Sequence, residues 1–231
     1  MKLPKLAYIS QSQDEEPVRS YLSSVDVEIK NVSAKQIIRN KVKIEEGAFV
    51  CGNIPTVHAA LKQLGKGIPK PNDYPEELRD FLLRKVWRGQ LRHLLRYSPV
   101  FVKPYEKLKR FTGKVVYQEE DYWLHGISKR LEVWFSERVK FGSEYRIYVL
   151  RGEIIGIHSF ENSDIEELDL QVVKDAVRTM GAVALGFDFG VLEDGRTALI
   201  EVNDAYSIGN YGLNDKDYTE FLLQRWDELT D

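Results

Sequence analysis

The chain has 231 residues, 43% of them hydrophobic and 30% charged, with a net charge of −3. That composition excludes a disordered or low-complexity chain and suits one large or two small globular domains, each able to bury a core. No apolar run approaches the roughly 20 residues that cross a bilayer, the N-terminus lacks the apolar core of a secretory signal, and the lone Cys51 has no internal disulfide partner, so a cytoplasmic location is expected.

In chain order, the first hundred residues alternate strand-like and helix-like pieces. KLAYIS, a polar helix near 17–23, VDVEIKNV, SAKQIIRN, GAFVCG and IPTVHAALKQLGK follow one another in a β-α-β-α-β-α order, which favours a small parallel sheet with crossover helices. Cys51, inside GAFVCG, reads as a buried small hydrophobe. The proline- and glycine-rich GKGIPKPNDYP interrupts the alternation. EELRDFLLRKVWRGQLRHLLRY is then predicted as one long helix running from near Pro75 to Ser98-Pro99. On that helix Arg84, Arg88, Arg92 and Arg96 recur every four residues as a basic stripe, which suits either a solvated face or an acidic partner such as nucleic acid.

From Val100 the pattern changes to short strands: VFVKP, GKVVY, LEVWFSE, EYRIYVL and EIIGIHSF. VFVKP ends on Lys103, placed on the face opposite Val102 and Phe101, where a lysine either solubilises a strand end or holds a phosphate. The following YEKLKRFTGKVV supplies Lys107, Lys109 and Lys114 in a basic, glycine-containing loop, without the spacing of a P-loop or a dinucleotide fingerprint. SEYRIYVLRGEIIGIHSF is predicted as a hairpin turning at Arg151-Gly152, with Arg146 on the face of Tyr148, Leu150, Ile155 and Ile157. A guanidinium on an apolar sheet face needs an anion, either a structural one such as Glu144 or a phosphate. An amphipathic helix is expected over 168–180, with Leu170, Val173, Val177 and Met180 as its apolar stripe.

The next segment, GFDFGVLEDGRTALIEVND over 186–204, reads as two strands around Asp194-Gly195. A two-residue turn there sets Asp188 directly opposite Glu201 and brings Asn203 onto the same face, while Phe187, Phe189, Ile200 and Val202 point the other way. Like charges opposed across a ladder are destabilising unless a cation or solvent relieves them, and two carboxylates with an amide oxygen match the sparse protein ligand set of Mg²⁺. A three-residue turn breaks that pairing. The four histidines show no metal-ligand spacing with one another or with Cys51, which argues against zinc.

Taken in order, VFVKP, SEYRIYVLRGEIIG and GFDFGVLEDGRTALIEVND resemble the ATP-grasp superfamily, and most of all its compact clade named for one arginine and two lysines. The resemblance implies an α/β (α+β) ATP-grasp fold behind a small N-terminal β-α-β domain. It divides the chain into residues 1–97, with the long helix, and an ATP-grasp domain 98–231 made of subdomains 98–136 and 137–231. It implies ATP held between the subdomains, with Lys103 and a second lysine, chosen as Lys109 among Lys107, Lys109 and Lys114, on the phosphates. The adenine would lie against the connector at Glu137 and Val139, with Glu144 near the ribose. Arg146 would meet the γ-phosphate, Asp188, Glu201 and Asn203 would hold Mg²⁺, and Asn210 and Tyr211 would line the acceptor substrate. The activity implied is ATP-dependent joining of a carboxylate to an amine through an acyl phosphate, on an amino acid or peptide. A phosphotransferase or a nucleotide- or nucleic-acid-binding module using the arginine stripe are the alternatives, with nucleic acid and membrane not expected as partners.

Overall fold

A computed structural model describes residues 3–105, 111–117, 126–160, 164–181 and 183–231. The chain opens with β1 (Leu6–Ser10), α1 (Glu16–Ser24), β2 (Glu28–Val32), α2 (Ala34–Ile38), β3 (Phe49–Cys51) and α3 (Ile54–Gln63), in the expected alternation. Local chemistry explains the boundaries. Ser33 and Gln36 form a reciprocal capping box at the start of α2, and Asn53 caps α3 just ahead of a first-turn proline. The three strands make a parallel sheet in the order β2-β1-β3, and Cys51 is buried within it, its thiol pKa pushed up by burial.

The predicted long helix does not form. Residues 76–82 make a 3-10 turn that ends at Leu83 in the left-handed region (φ 49°). The chain then extends as β4 (Val86–Gln90), followed by a short α4 (Leu94–Tyr97). β4 pairs antiparallel with β7 (Glu132–Ser136) in the sheet order β4-β7-β5-β6, where β5 is Val100–Pro104 and β6 is Lys114–Val116. Gly89, a poor helix former, lets β4 lie close against Phe135, whose ring would stand 3.0 Å from a Cβ at that position. Pairing with an available sheet edge thus overrides a helical spacing of leucines and arginines.

The third sheet is built from β8 (Phe141–Leu150), β9 (Glu153–Ser159), β10 (Ala184–Leu192) and β11 (Thr197–Asp204), in the order β11-β10-β8-β9, with α5 (Leu170–Met180) between β9 and β10. Its alternation sorts two faces. Ile147, Val149, Phe187, Phe189, Leu199 and Val202 pack against Val173, Ala176 and Val177 of α5 and against Leu78 and Leu82 of the 3-10 turn. Arg146, Tyr148 and Asp188 point to the other face. A C-terminal helix, α6 (Asp215–Thr230), capped by Asn214, was not anticipated from the sequence. Its Phe221, Leu222, Leu223 and Trp226 share one core with Leu22, Ala48 and Phe49 of the N-terminal unit, and Trp226 Nε1 donates to the Ala48 carbonyl (2.9 Å). Among the described residues, no helix is long and apolar enough to cross a membrane.

Both predicted hairpins form, with a correction in each. The turn before β11 holds three residues, not two: Leu192 N–H bonds to the Arg196 carbonyl, and Gly195 takes the positive φ (84°) that closes such a turn. That slips the register by one residue, so Phe189 faces Leu199. A bulge beyond that pair, with Ile200 as the additional residue, restores Asp188 opposite Glu201. β8 and β9 turn at Arg151-Gly152 as expected, and Leu150 faces Glu153. A bulge after that places His158, not Ile157, opposite Arg146; Ile157 faces Ile147 and packs with the α5 core.

Candidate active site

The site lies where the two four-stranded sheets meet, around a cleft of about 470 Å³ lined by Lys103, Asp73, Arg146, Glu201, Asn203 and Tyr211 among others. Lys103 comes from β5. Its side chain shares a face with Phe101, contrary to the sequence expectation, because residues two apart on a strand point the same way. Gly113 closes down on that face: a Cβ there would stand 2.8 Å from the Phe101 ring and 3.1 Å from the Lys103 Cβ.

Across the other sheet, the pairing register sets His158, Arg146, Asp188 and Glu201 in one row over four neighbouring strands. Asp188 accepts two bonds from Arg146, Nε to Oδ1 at 2.7 Å and Nη2 to Oδ2 at 2.6 Å. Asn203, one ladder step on, donates from Nδ2 to Asp188 Oδ2 (3.0 Å) and to Glu201 Oε1 (3.3 Å). Lys103 reaches across the join to pair with Glu201 Oε2 and with Asp73 Oδ2 (2.7 Å), its ammonium 4.9 Å from the centre of the Tyr74 ring. Three carboxylates therefore face two cations. Among the described residues, this network of paired side chains carries one surplus negative charge.

Burial sharpens these interactions, because a low-dielectric site strengthens each pairing and penalises each unpaired charge. Burial disfavours the Lys103 ammonium, yet Tyr74, Glu201 and Asp73 outweigh it and raise its pKa. Burial likewise works against the Glu201 carboxylate, but Lys103 and the Asn203 amide hold it below the ordinary value. At Asp188 burial prevails and pushes the carboxyl up, with Glu201 adding to it while Arg146 and Asn203 pull the other way. Arg146 stays charged because its bonds to Asp188 overcome its own desolvation.

An aromatic wall stands beyond Arg146. Its guanidinium carbon is 5.2 Å from the Tyr211 ring centre and 5.4 Å from that of Phe160, and His158 stacks on Tyr211 at 5.8 Å. Asn210 does not join Tyr211 on the cleft wall: its Oδ1 accepts from the backbone of Gly212 and Leu213 and its Nδ2 donates to the Leu213 carbonyl, which shapes the 210–213 turn. Glu137 and Val139 lie in the segment joining β7 to β8, outside the residues lining the cleft, and the Glu137 carboxylate accepts the Lys85 backbone N–H (2.8 Å). Glu144 is half-buried on the same face of β8 as Arg146, opposite Gly190. Lys107 and Lys109 lie outside the described residues. Lys114 stands opposite Val102, so its side chain leaves β6 on the face away from Lys103.

The arginine stripe is replaced by separate roles. Arg84 is a clamp between the sheets, donating to Ser136 Oγ (3.0 Å) on one side and to the Leu199 (2.7 Å) and Ile200 (2.8 Å) carbonyls on the other. Arg88 lies 3.8 Å from the Tyr105 ring centre and pairs with Glu132, while Arg92 and Arg96 are exposed. Sequence reasoning missed Asp73 and Tyr74. Their signal was the NDYP run inside a proline-rich linker, where a backbone bond from Val202 N–H to the Asp73 carbonyl (2.9 Å) docks the linker on β11. A larger hollow of about 580 Å³, between residues 69–72, the end of α5 and α6, contains none of Lys103, Arg146, Asp188 or Glu201.

Among the described residues, no three His, Cys, Asp or Glu side chains form a ready metal cage. The Asp188 and Glu201 carboxylates converge on the Asn203 amide, whose nitrogen faces them; with that amide turned to present Oδ1, the oxygen donors are hard and few. They fit a hard cation that completes its shell with water and phosphate oxygens.

No curated protein matches the chain in sequence. Solved structures do match in fold. N5-carboxyaminoimidazole ribonucleotide synthetase from Thermotoga maritima superposes with a TM-score of 0.59 at 11% identity, covering 96% of this chain and 76% of that one. A purK N5-carboxyaminoimidazole ribonucleotide synthetase solved as its ADP complex gives 0.66 at 12%, covering 97% and 78%. D-alanine–D-alanine ligase from Bacillus anthracis gives 0.55 at 16%, covering 99% and 97%. The family model of the ATP-grasp domain, R2K clade family 2, matches residues 81–221, and with the two-sheet cleft and its row of paired charges it shows that this chain belongs to the ATP-grasp superfamily, in that clade.

Proposed function

We propose that the chain is an ATP-dependent ligase that joins a carboxylate to an amine, with Mg·ATP in the cleft between the sheets. The observation that supports it most is the ion pair from Lys103 on one sheet to Glu201 on the other, beside the Arg146–Asp188 pair. A triphosphate with its metal has the complementary charges: phosphate oxygens can take over Lys103 and Arg146, and the metal can take over the carboxylates. Asp188 and Glu201 would hold Mg²⁺ together with Asn203, whose amide presents Oδ1 after a half-turn. Mg²⁺ supplies charge neutralisation on the phosphoryl group undergoing transfer.

The residues of this chain then act by binding and orientation. Lys103 and Arg146 cancel the charge that builds on the transferring phosphoryl group. The substrate carboxylate attacks the γ-phosphorus, the bond to the β-phosphate oxygen breaks, and ADP leaves with its electron pair. The amine next attacks the acyl carbon of the acyl phosphate, phosphate departs, and the amine proton is lost to solvent or phosphate. No side chain need act as a nucleophile. Tyr211 lines the Arg146 end of the cleft, with Phe160 and His158 packed against its ring. Glu137, Val139 and the connector to β8 remain the proposed adenine side, with Glu144 toward the ribose.

The test is release of ADP and phosphate with Mg·ATP across carboxylates, with hydroxylamine as a general amine that traps an acyl phosphate as a hydroxamate. The ligase reading expects hydroxamate with at least one carboxylate. A stable phosphoester without free phosphate would instead mark a phosphotransferase.

A further inference from the structure

The cleft face of β11 depends on one inserted residue. Leu199 and Glu201 are two apart, so in a regular strand they would point to the same side. Here Leu199 faces Phe189 and is buried in the core under α5, whereas Glu201 faces Asp188 and lines the cleft. Ile200 takes up the difference as the bulge residue. Were the ladder to run on from Phe189–Leu199 without the bulge, Ile200 would stand opposite Asp188. Glu201 would then stand opposite Phe187 and turn toward the core.

Arg84 grips that bulge. Its Nη1 donates to the Leu199 carbonyl (2.7 Å) and its Nη2 to the Ile200 carbonyl (2.8 Å). Successive carbonyls of a regular strand point to opposite sides, so one planar fork reaches both only where the bulge has turned them together. The remaining bonds fix the fork itself: Nε donates to Ser136 Oγ (3.0 Å), Nη1 also donates to the Leu82 carbonyl (3.0 Å), and the Phe141 ring centre lies 5.6 Å from the guanidinium carbon. Ser136 faces Phe101 on β5, the strand that carries Lys103. Because β11 is the edge strand of its sheet, bonds from outside the sheet share in setting its register.

We propose that Arg84 is a positioning residue for the metal end of the site: by holding the Leu199 and Ile200 carbonyls it keeps the bulge that turns Glu201, and Asn203 two residues on, toward the cleft. This rests on the Mg·ATP reading above and adds to it a residue that touches neither metal nor nucleotide. Arg84 thereby ties the placement of the metal-binding carboxylate to the sheet that presents Lys103.

The experiment uses the full chain with Arg84→Lys, Arg84→Ala and, as a control for stability alone, Trp226→Phe in the N-terminal core. It reads Tm, the Kd of ADP by calorimetry over a series of Mg²⁺ concentrations and in EDTA, and a ligand-free crystal structure of Arg84→Ala. Both Arg84 variants should raise the Mg²⁺ concentration needed for half its effect on ADP binding by about tenfold or more. Their Kd for ADP in EDTA should stay unchanged, since Lys103 and Arg146 are still present. Lysine keeps the charge without the fork and should not rescue. Trp226→Phe should lower Tm and leave the Mg²⁺ dependence where it is in the wild type. In the Arg84→Ala crystal Ile200 should stand opposite Asp188, with Glu201 off the cleft face. A wild-type Mg²⁺ dependence in Arg84→Ala whatever its Tm, an equal loss of ADP binding in EDTA, or Glu201 still opposite Asp188 in the variant crystal would overturn the proposal. Should Arg84→Ala not fold, Arg84→Lys decides by the same readings. If the wild type binds no ADP, or binds it without regard to Mg²⁺, the Mg·ATP reading falls, and the position of Glu201 in the variant crystal alone decides the role of Arg84.

Discussion

At Lys103 and Glu201 one ion pair ties the proposed phosphate and metal ligands to the acid sensitivity of the fold. Glu201 has its pKa depressed in the folded chain, so its ionised form contributes stability above the ordinary value of 4.5, and that contribution is lost as pH falls through the lower folded value. Glu201→Gln should therefore be less stable than the wild type near neutrality, with the gap in Tm closing below about pH 4.5; a gap unchanged down to about pH 3 contradicts the pairing. Arg146→Ala removes the partner of buried Asp188 and, on the proposed function, a phosphate-binding donor. Turnover should drop by about two orders of magnitude or more, and stability by about 3–5 kcal/mol, read by ADP release and by denaturant unfolding. Strand alternation sets the face of Arg146, whereas Asp188, Glu201 and Asn203 are expected on one face from a two-residue turn that does not form, and they share it because the bulge restores the register. Asp73 could not be read from the sequence, since its position depends on how a linker docks against a distant strand.

Among the elements, the two bulges carry the most weight. In β10–β11 a three-residue turn shifts the ladder by one and the bulge at Ile200 shifts it back, so the expected Asp188–Glu201 pairing holds for a reason the sequence reading did not contain. In β8–β9 the turn was as expected and the bulge was not, which moved Ile157 to the core and His158 beside Arg146. Bulges leave weak traces in sequence because they answer to twist and to neighbouring elements; here Arg84 bonds the Ile200 carbonyl at the bulge. Gly195→Val places a branched side chain at a φ of 84°. It should cost about 1–2 kcal/mol and lower Tm by several degrees, measured calorimetrically, while an unchanged Tm contradicts the turn assignment. The failed helix over 76–97 shows the limit of periodicity: every-fourth arginines and leucines describe a stripe only if the backbone is helical, and Gly89 and a free edge on β7 decide otherwise.

Across the whole molecule, the N-terminal unit and the C-terminal helix form one core, although nearly the full chain separates them. Periodicity cannot reveal such a contact because it lies between segments. Trp226 is nearly buried, edge-on to Phe49 at 6.4 Å, and bonded to the Ala48 carbonyl. Trp226→Ala should cost about 3–5 kcal/mol and keep a single unfolding transition by far-UV circular dichroism, because the sheets and α6 unfold together. Two separated transitions in the wild type would contradict this shared core. The Arg84 clamp and the Lys103–Glu201 pair join the other two sheets at the cleft, so on the proposed function a nucleotide that took over Lys103 would loosen one of these two ties.

The most direct measurement is a crystal structure of the chain grown with Mg·AMPPNP. The account predicts the metal bound by Asp188, Glu201 and Asn203, with Lys103 and Arg146 transferred from their carboxylates onto phosphate oxygens. A nucleotide lodged elsewhere, with the Lys103–Glu201 and Arg146–Asp188 pairs intact, would contradict it.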